Sequence, residues 1–131
     1  MVLPRQHRLK GHRPFERLYR RGRRVNGPNL TVRWVQADPD LLPAGRHGET
    51  SLWRCGVVVS SKVSKKAVQR NRLRRAVHGH LVRSHLNPSS PVWILISFKP
   101  GSIARPQAQL LEECSMLLRK MGMFHDRLSQ P

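Results

Sequence analysis

Near the start of the chain, apolar residues fall at helical spacing. Phe15, Leu18 and Tyr19 stand at i, i+3 and i+4, Pro14 suits a first helical position, and Gly22 suits the position just past an end. A short helix is predicted over Pro14–Arg21. Alternation then replaces that period. In "LTVRWVQ", Leu30–Gln36, Leu30, Val32 and Trp34 alternate with Thr31, Arg33 and Val35, which predicts a strand, with a short extended piece at Arg23–Asn26 beside it. "LWRCGVVVS", Leu52–Ser60, is a second clear strand. A helix is predicted from Ala67 to His85, stopped ahead of Asn87–Pro88. "PVWILISF", Pro91–Phe98, is apolar almost throughout, as in a strand buried on both faces. The last helix is predicted over Pro106–Met121 with Gly122 as its stop. Its stripe of Leu110, Leu111, Cys114, Leu117, Leu118 and Met121 is read as core.

Between these elements lie an exposed Pro- and Gly-rich loop, Asp38–Thr50, a basic connection, Ser61–Lys66, and a loop, Lys99–Arg105. From Met123 onward a mobile tail is expected. The order of helix, strands, helix, strand, helix predicts an α+β sandwich with helices against one sheet. A chain of 131 residues suits one domain, taken as 1–122 followed by the tail 123–131. The Ala67–His85 helix can serve as a crossover between parallel strands, which the general rule would make right-handed.

Charge changes the picture. Lys and Arg number 25 against 7 Asp and Glu, a net charge of +18. Repulsion on that scale opposes compaction, and a polyanionic partner relieves it, nucleic acid ahead of an anionic membrane. A membrane role is disfavoured. No apolar run is long enough to span a bilayer, and the basic helix lacks the Trp, Phe or Leu face of an interfacial helix. Met1–Gly11 is basic and has no signal-peptide core, so a cytoplasmic location is expected. Cys55 and Cys114, with no Cys or His at metal-ligand spacing, are read as buried, reduced thiols.

The charge concentrates in "AVQRNRLRRAV", residues 67–77. On a helical period Leu73, Val77 and Leu81 form the packing line, flanked by Ala76 and His80. Arg70, Arg74 and His78 form an adjacent ladder, Asn71 and Arg75 share another face, and Arg72 projects from the far side. Like charges four apart repel, and cations at a helix N-terminus oppose the dipole. A solvated face would mix in carboxylates, yet none occurs between Thr50 and Glu112. Phosphates docking there would resolve the conflict, since guanidinium forks and free N–H groups converge on one anion. Asn71 can orient a neighbouring arginine or touch a sugar or base edge. A helix-turn-helix needs a helix just upstream, where this chain has a strand, so no DNA partner is expected. Phe15 and Tyr19, and less so Trp34, are candidate stacking platforms for a single strand, in competition with core packing. Glu112, Glu113, Asp38 and Asp40 form no cluster able to hold catalytic metals, so no catalytic or metal-binding residue is expected on this chain.

Three motifs in order resemble the bacterial ribonuclease P protein family: "LKGHRPFERLYRRGRR" (Leu9–Arg24), "RNRLRR" (Arg70–Arg75) after "GVVVSSKVSKKAV", and "ILISFKPGS" (Ile94–Ser102). The resemblance spans about Leu9 to Gly122. It implies an α-β-β-β-α-β-α sandwich around one mixed sheet, with a left-handed crossover through the arginine helix in place of the general right-handed rule. It implies two partners, the catalytic RNA of ribonuclease P and precursor tRNA, whose 5′ leader the holoenzyme, an endoribonuclease, removes to give the mature 5′ end. Magnesium is expected on the RNA and none on the protein alone. Carried over by position, Lys62, Lys65, Lys66, Arg70, Asn71, Arg72, Arg74 and Arg75 would bind RNA. Phe15 and Tyr19 would line the leader cleft, with Val57 and Val59 or their neighbours in its floor. Ser61 stands where many members have lysine, His78 where many have arginine, and Tyr19 where phenylalanine is common. The loop Asp38–Thr50 looks longer than usual. The competing reading is an RNA protein that only binds, such as a ribosomal protein or assembly factor.

Overall fold

The computed structural model describes residues 3–43 and 51–123. Its elements are α1 (His12–Arg21), β1 (Arg23–Asn26), β2 (Leu30–Gln36), β3 (Trp53–Val58), α2 (Ala67–Ser84), β4 (Val92–Phe98) and α3 (Gln107–Lys120), with short 3-10 turns at Arg5–His7, Pro39–Leu41 and Ser102–Ala104. One four-stranded sheet runs in the order β1-β2-β4-β3. β1 and β4 flank β2 antiparallel, while β3 pairs with β4 in parallel, so α2 joins the two parallel strands. This is the α-β-β-β-α-β-α order that the resemblance implied. α1 starts at His12, two residues before Pro14, because proline is tolerated anywhere in a first turn whose N–H groups lack acceptors.

Strand β4 explains the layering. Val92, Ile94, Ile96 and Phe98 enter one core cluster with Leu73, Val77 and Leu81 of α2 and Leu110, Cys114, Leu117 and Leu118 of α3. Trp93 and Leu95 point the other way, into a second cluster with Leu18 of α1, Val35 and Leu42. The near-continuous apolar run was needed because both faces of β4 are covered. α1 therefore lies on one face of the sheet, and α2 with α3 on the other.

Three long-range ties fix the edges. Glu113 of α3 is buried, and its carboxylate accepts hydrogen bonds from Asn29 N (2.9 Å), Asn29 Nδ2 (2.9 Å) and Leu30 N (2.7 Å). Three donors offset the cost of burying that charge and pin the β1–β2 turn. The residues before α1 run along the outer edge of β3: Leu9 N donates to Cys55 O at 3.2 Å, and the His7 ring stacks on Trp53 at 3.9 Å. An edge strand is thereby covered. Met123, expected to begin a mobile tail, is buried in the core, and its carbonyl accepts from Asn87 N at 2.9 Å. The rest of that tail lies outside the described residues. So does 44–50 of the expected loop; ahead of it, Leu42 is packed in the second cluster rather than exposed.

Candidate nucleic-acid interface

The basic helix is held as its periodicity required. Leu73, Val77, Gly79 and Leu81 are buried, while Asn71, Arg72 and Arg75 are exposed and Arg70, Arg74 and His78 half-buried. Asn71 organises the cluster. Its side-chain oxygen accepts from Arg74 Nη1 at 2.7 Å, and its carbonyl faces Arg75 Nε at 3.4 Å. Arg74 also reaches the Val59 carbonyl (3.3 Å), and Arg70 the Ser64 carbonyl (2.9 Å), so two arginines tie α2 to the strand end and connection before it. Lys66 occupies the N-cap position of the helix without a side-chain cap, and the first turn holds no acidic residue. Its free N–H groups and the exposed Lys62, Lys65 and Lys66 thus lie at the same end.

Across the sheet, α1 lays its aromatic side chains over the strands. Phe15 is half-buried with its ring over Gly56: a Cβ there would lie 2.7 Å from Phe15 Cζ. Tyr19 is 55% exposed, and the Arg33 guanidinium sits 4.9 Å from its ring centroid. The sheet register sets Arg33, Leu95 and Gly56 in one row and Thr31, Ser97 and Val58 in the next. Val57 and Val59 do not face α1. Both pack in the opposite core with α2 and α3, because alternate strand residues face opposite ways and both share the parity of Cys55. Their neighbours Gly56 and Val58 face α1 instead. Trp34 also belongs to the opposite face, with the Arg23 guanidinium 5.7 Å from its ring centroid. The segment from Ser61 to Lys66 leads from β3, the strand under Phe15, directly into α2.

Arg33 was missed in the sequence. Its signal was available: it alternates with core residues on β2 and so had to face α1.

The remaining titratable groups are structural. His78 is held neutral by burial first and then by the positive charge around it, Arg74 and Arg8 included. His80 is likewise lowered by burial and by Arg83, and its Nε2 lies 2.6 Å from Ser115 Oγ. Burial pushes the Cys55 thiol well up, and burial with nearby Glu113 pushes Cys114 to about 12, so both free thiols stay protonated and inert. Among the described residues the carboxylates are dispersed: Glu16 pairs with His12 and Arg20 (3.2 Å each), and Glu113 is saturated by its three donors. Among the described residues no three His, Cys, Asp or Glu side chains come together to hold a metal ion, and no helix is long and apolar enough to cross a membrane.

The chain matches the Ribonuclease P family profile over residues 3–122. The ribonuclease P protein component of Prochlorococcus marinus (strain MIT 9303) is 50% identical over 128 residues, covering 95% of this chain and 99% of that protein. That of Parasynechococcus marenigrum (strain WH8102) is 46% identical over 126 residues, covering 94% and 98%. Among solved structures, the RNase P protein of Staphylococcus aureus superposes with a TM-score of 0.72 at 21% identity, over 91% of this chain and 98% of that one. The RNase P protein from Thermotoga maritima does so at 0.67 and 20%, over 86% and 98%. With the arginine signature on α2, the aromatic pair on α1 and relatives alike over nearly their whole length, this chain belongs to the ribonuclease P protein family.

Proposed function

We propose that the chain is the protein subunit of ribonuclease P. It binds the catalytic RNA through the Arg70–Arg75 face of α2 and the 5′ leader of precursor tRNA in the cleft under Phe15 and Tyr19. In doing so it assists endonucleolytic removal of the leader in the cytoplasm. One observation carries this reading: an acid-free basic helix and the aromatic pair of α1 lie on opposite faces of one sheet, and the Ser61–Lys66 connection joins the strand under Phe15 to that helix. One protein can then hold two RNA elements close together. Lys62, Lys65 and Lys66 are read as contacts at that junction, where salt-sensitive phosphate contacts position the RNA without reading its sequence. The protein's part is binding and orientation. Magnesium belongs on the RNA in this reading, since the dispersed carboxylates of the described residues do not fit a metal site.

The test mixes the purified chain with ribonuclease P RNA and precursor tRNA at low magnesium. Stimulated 5′ processing is expected. RNA binding without stimulation would instead favour a binding-only RNA protein.

A further inference from the structure

Arg72, Arg75 and Arg83 surround a pocket of ≈ 290 Å³ whose remaining lining is Ala76 and Gly79 of α2 and Gln107 of α3. Positions 72, 76, 79 and 83 advance by three or four residues along α2, and Arg75, three after Arg72 and four before Gly79, lies beside that line. The floor is made of the two smallest residue types and the rim of the longest cation, which leaves a shallow basic depression open to solvent. It has no internal counter-charge among the described residues. Arg75 Nε faces only the Asn71 carbonyl at 3.4 Å. Glu113 is occupied by Asn29 and Leu30, and Glu112 lies five residues after Gln107, about 140° round α3. Arg83 adds to the positive field that holds His80 neutral. Three guanidinium groups gathered without an anion disfavour the free chain, whereas a phosphate among them would accept paired N–H donors from each fork.

We propose that this pocket seats a phosphodiester of the RNA partner, making Arg83 an RNA-binding residue and extending the interface from the Arg70–Arg75 run into the C-terminal half of α2. Gln107 supplies a neutral donor from α3, outside the arginine signature. The volume is many times the ~30 Å³ share of one liquid water, which leaves room for a phosphate and its bridging waters. This proposal rests on the reading that the partner is ribonuclease P RNA, and it assigns that RNA a second seat.

The test measures affinity of the full chain for ribonuclease P RNA across a salt series. Arg83→Gln is expected to weaken binding about five- to tenfold and to lower the log–log salt slope by about 1. Ala76→Glu fills the pocket with the chain's own carboxylate. It is expected to weaken binding at least as much while leaving the melting temperature unchanged or higher, whereas Met116→Glu, the same charge change on the exposed side of α3, has a smaller effect. Arg72→Gln and Arg75→Gln serve as references. If both weaken binding while Arg83→Gln stays within twofold with an unchanged slope, the pocket is not a seat and the RNA reading survives. If none of the arginine variants matters, both fail together. Should Ala76→Glu not fold, Arg83→Gln decides alone, because that side chain is exposed.

Discussion

Phe15 joins two roles that the sequence set against each other. Its ring packs with the α1-side core, yet it is only half-buried and forms the roof over Gly56. Gly56→Ala would bring a methyl group to 2.7 Å from Phe15 Cζ, so the ring must move. The expected outcome is a stability loss of about 1–3 kcal/mol from overpacking, together with weaker holoenzyme binding of leader-bearing precursor tRNA. Tyr19→Ala should behave differently. The residue is exposed, so its melting temperature should hardly change, while a lost stacking partner removes about 1–3 kcal/mol of leader binding. Binding of leaderless mature tRNA should be untouched by either change, and equal losses for both RNAs would show that these residues support the fold and not a cleft. The aromatic spacing of Phe15 and Tyr19 was legible in the sequence. The partner glycine was not, because its meaning lies in a contact between α1 and β3. The run of three valines from Val57 to Val59 carries no polar residue to fix its parity, which is why the floor was read as Val57 and Val59 or their neighbours; the neighbours Gly56 and Val58 are the ones that face α1.

At the scale of elements, boundaries were legible because caps, prolines and hydrophobic periods act locally. What was not legible is how elements are tied. Glu113 looked like one of a pair of scattered carboxylates, yet it is the buried clamp between α3 and the β1–β2 turn. Glu113→Gln replaces an acceptor with a donor facing N–H groups and should cost about 1–3 kcal/mol in chemical denaturation. Glu112→Gln, Asp38→Asn and Asp40→Asn should leave both stability and single-turnover cleavage within a few-fold at saturating magnesium. A loss on the order of a thousandfold in a folded variant of any of the four would place a metal on the protein. Helix α2 carries a second dependence. His78 and His80 have folded pKa values below the ordinary 6.5, with burial as the largest cause. Above 6.5 both states are neutral and these groups contribute nothing. As pH falls through that value the unfolded chain takes up protons first, so stability should decline. A His78→Gln, His80→Gln double variant should lose less stability between pH 7 and pH 5 than the parent; equal losses would assign the acid sensitivity elsewhere.

The whole molecule carries +18 with only 7 acidic residues in the chain, of which Glu16 is engaged by His12 and Arg20 and Glu113 by Asn29 and Leu30. Such a charge makes the free protein and the complex respond to salt in opposite directions. In the free chain, the dominant long-range interaction is repulsion, so shortening the Debye length to about 8 Å at physiological ionic strength should raise the melting temperature. In the complex, the dominant interaction is phosphate neutralisation, so the same salt should lower affinity, each phosphate neutralised adding roughly 0.7–0.9 to the log–log slope. Replacing Arg72 and Arg75 together with alanine should move both quantities: the free protein becomes more stable and less salt-dependent, and the binding slope flattens by roughly 0.7–0.9, as the phosphate they share is no longer neutralised. A variant that binds RNA with the parent slope, while gaining stability, would mean that these arginines merely repel one another in solvent. A variant with a flatter slope and no gain in stability would mean that their charge is already compensated within the fold, contrary to the acid-free surface of α2. Only the joint change fits a helix whose unfavourable charge in isolation is resolved by its RNA.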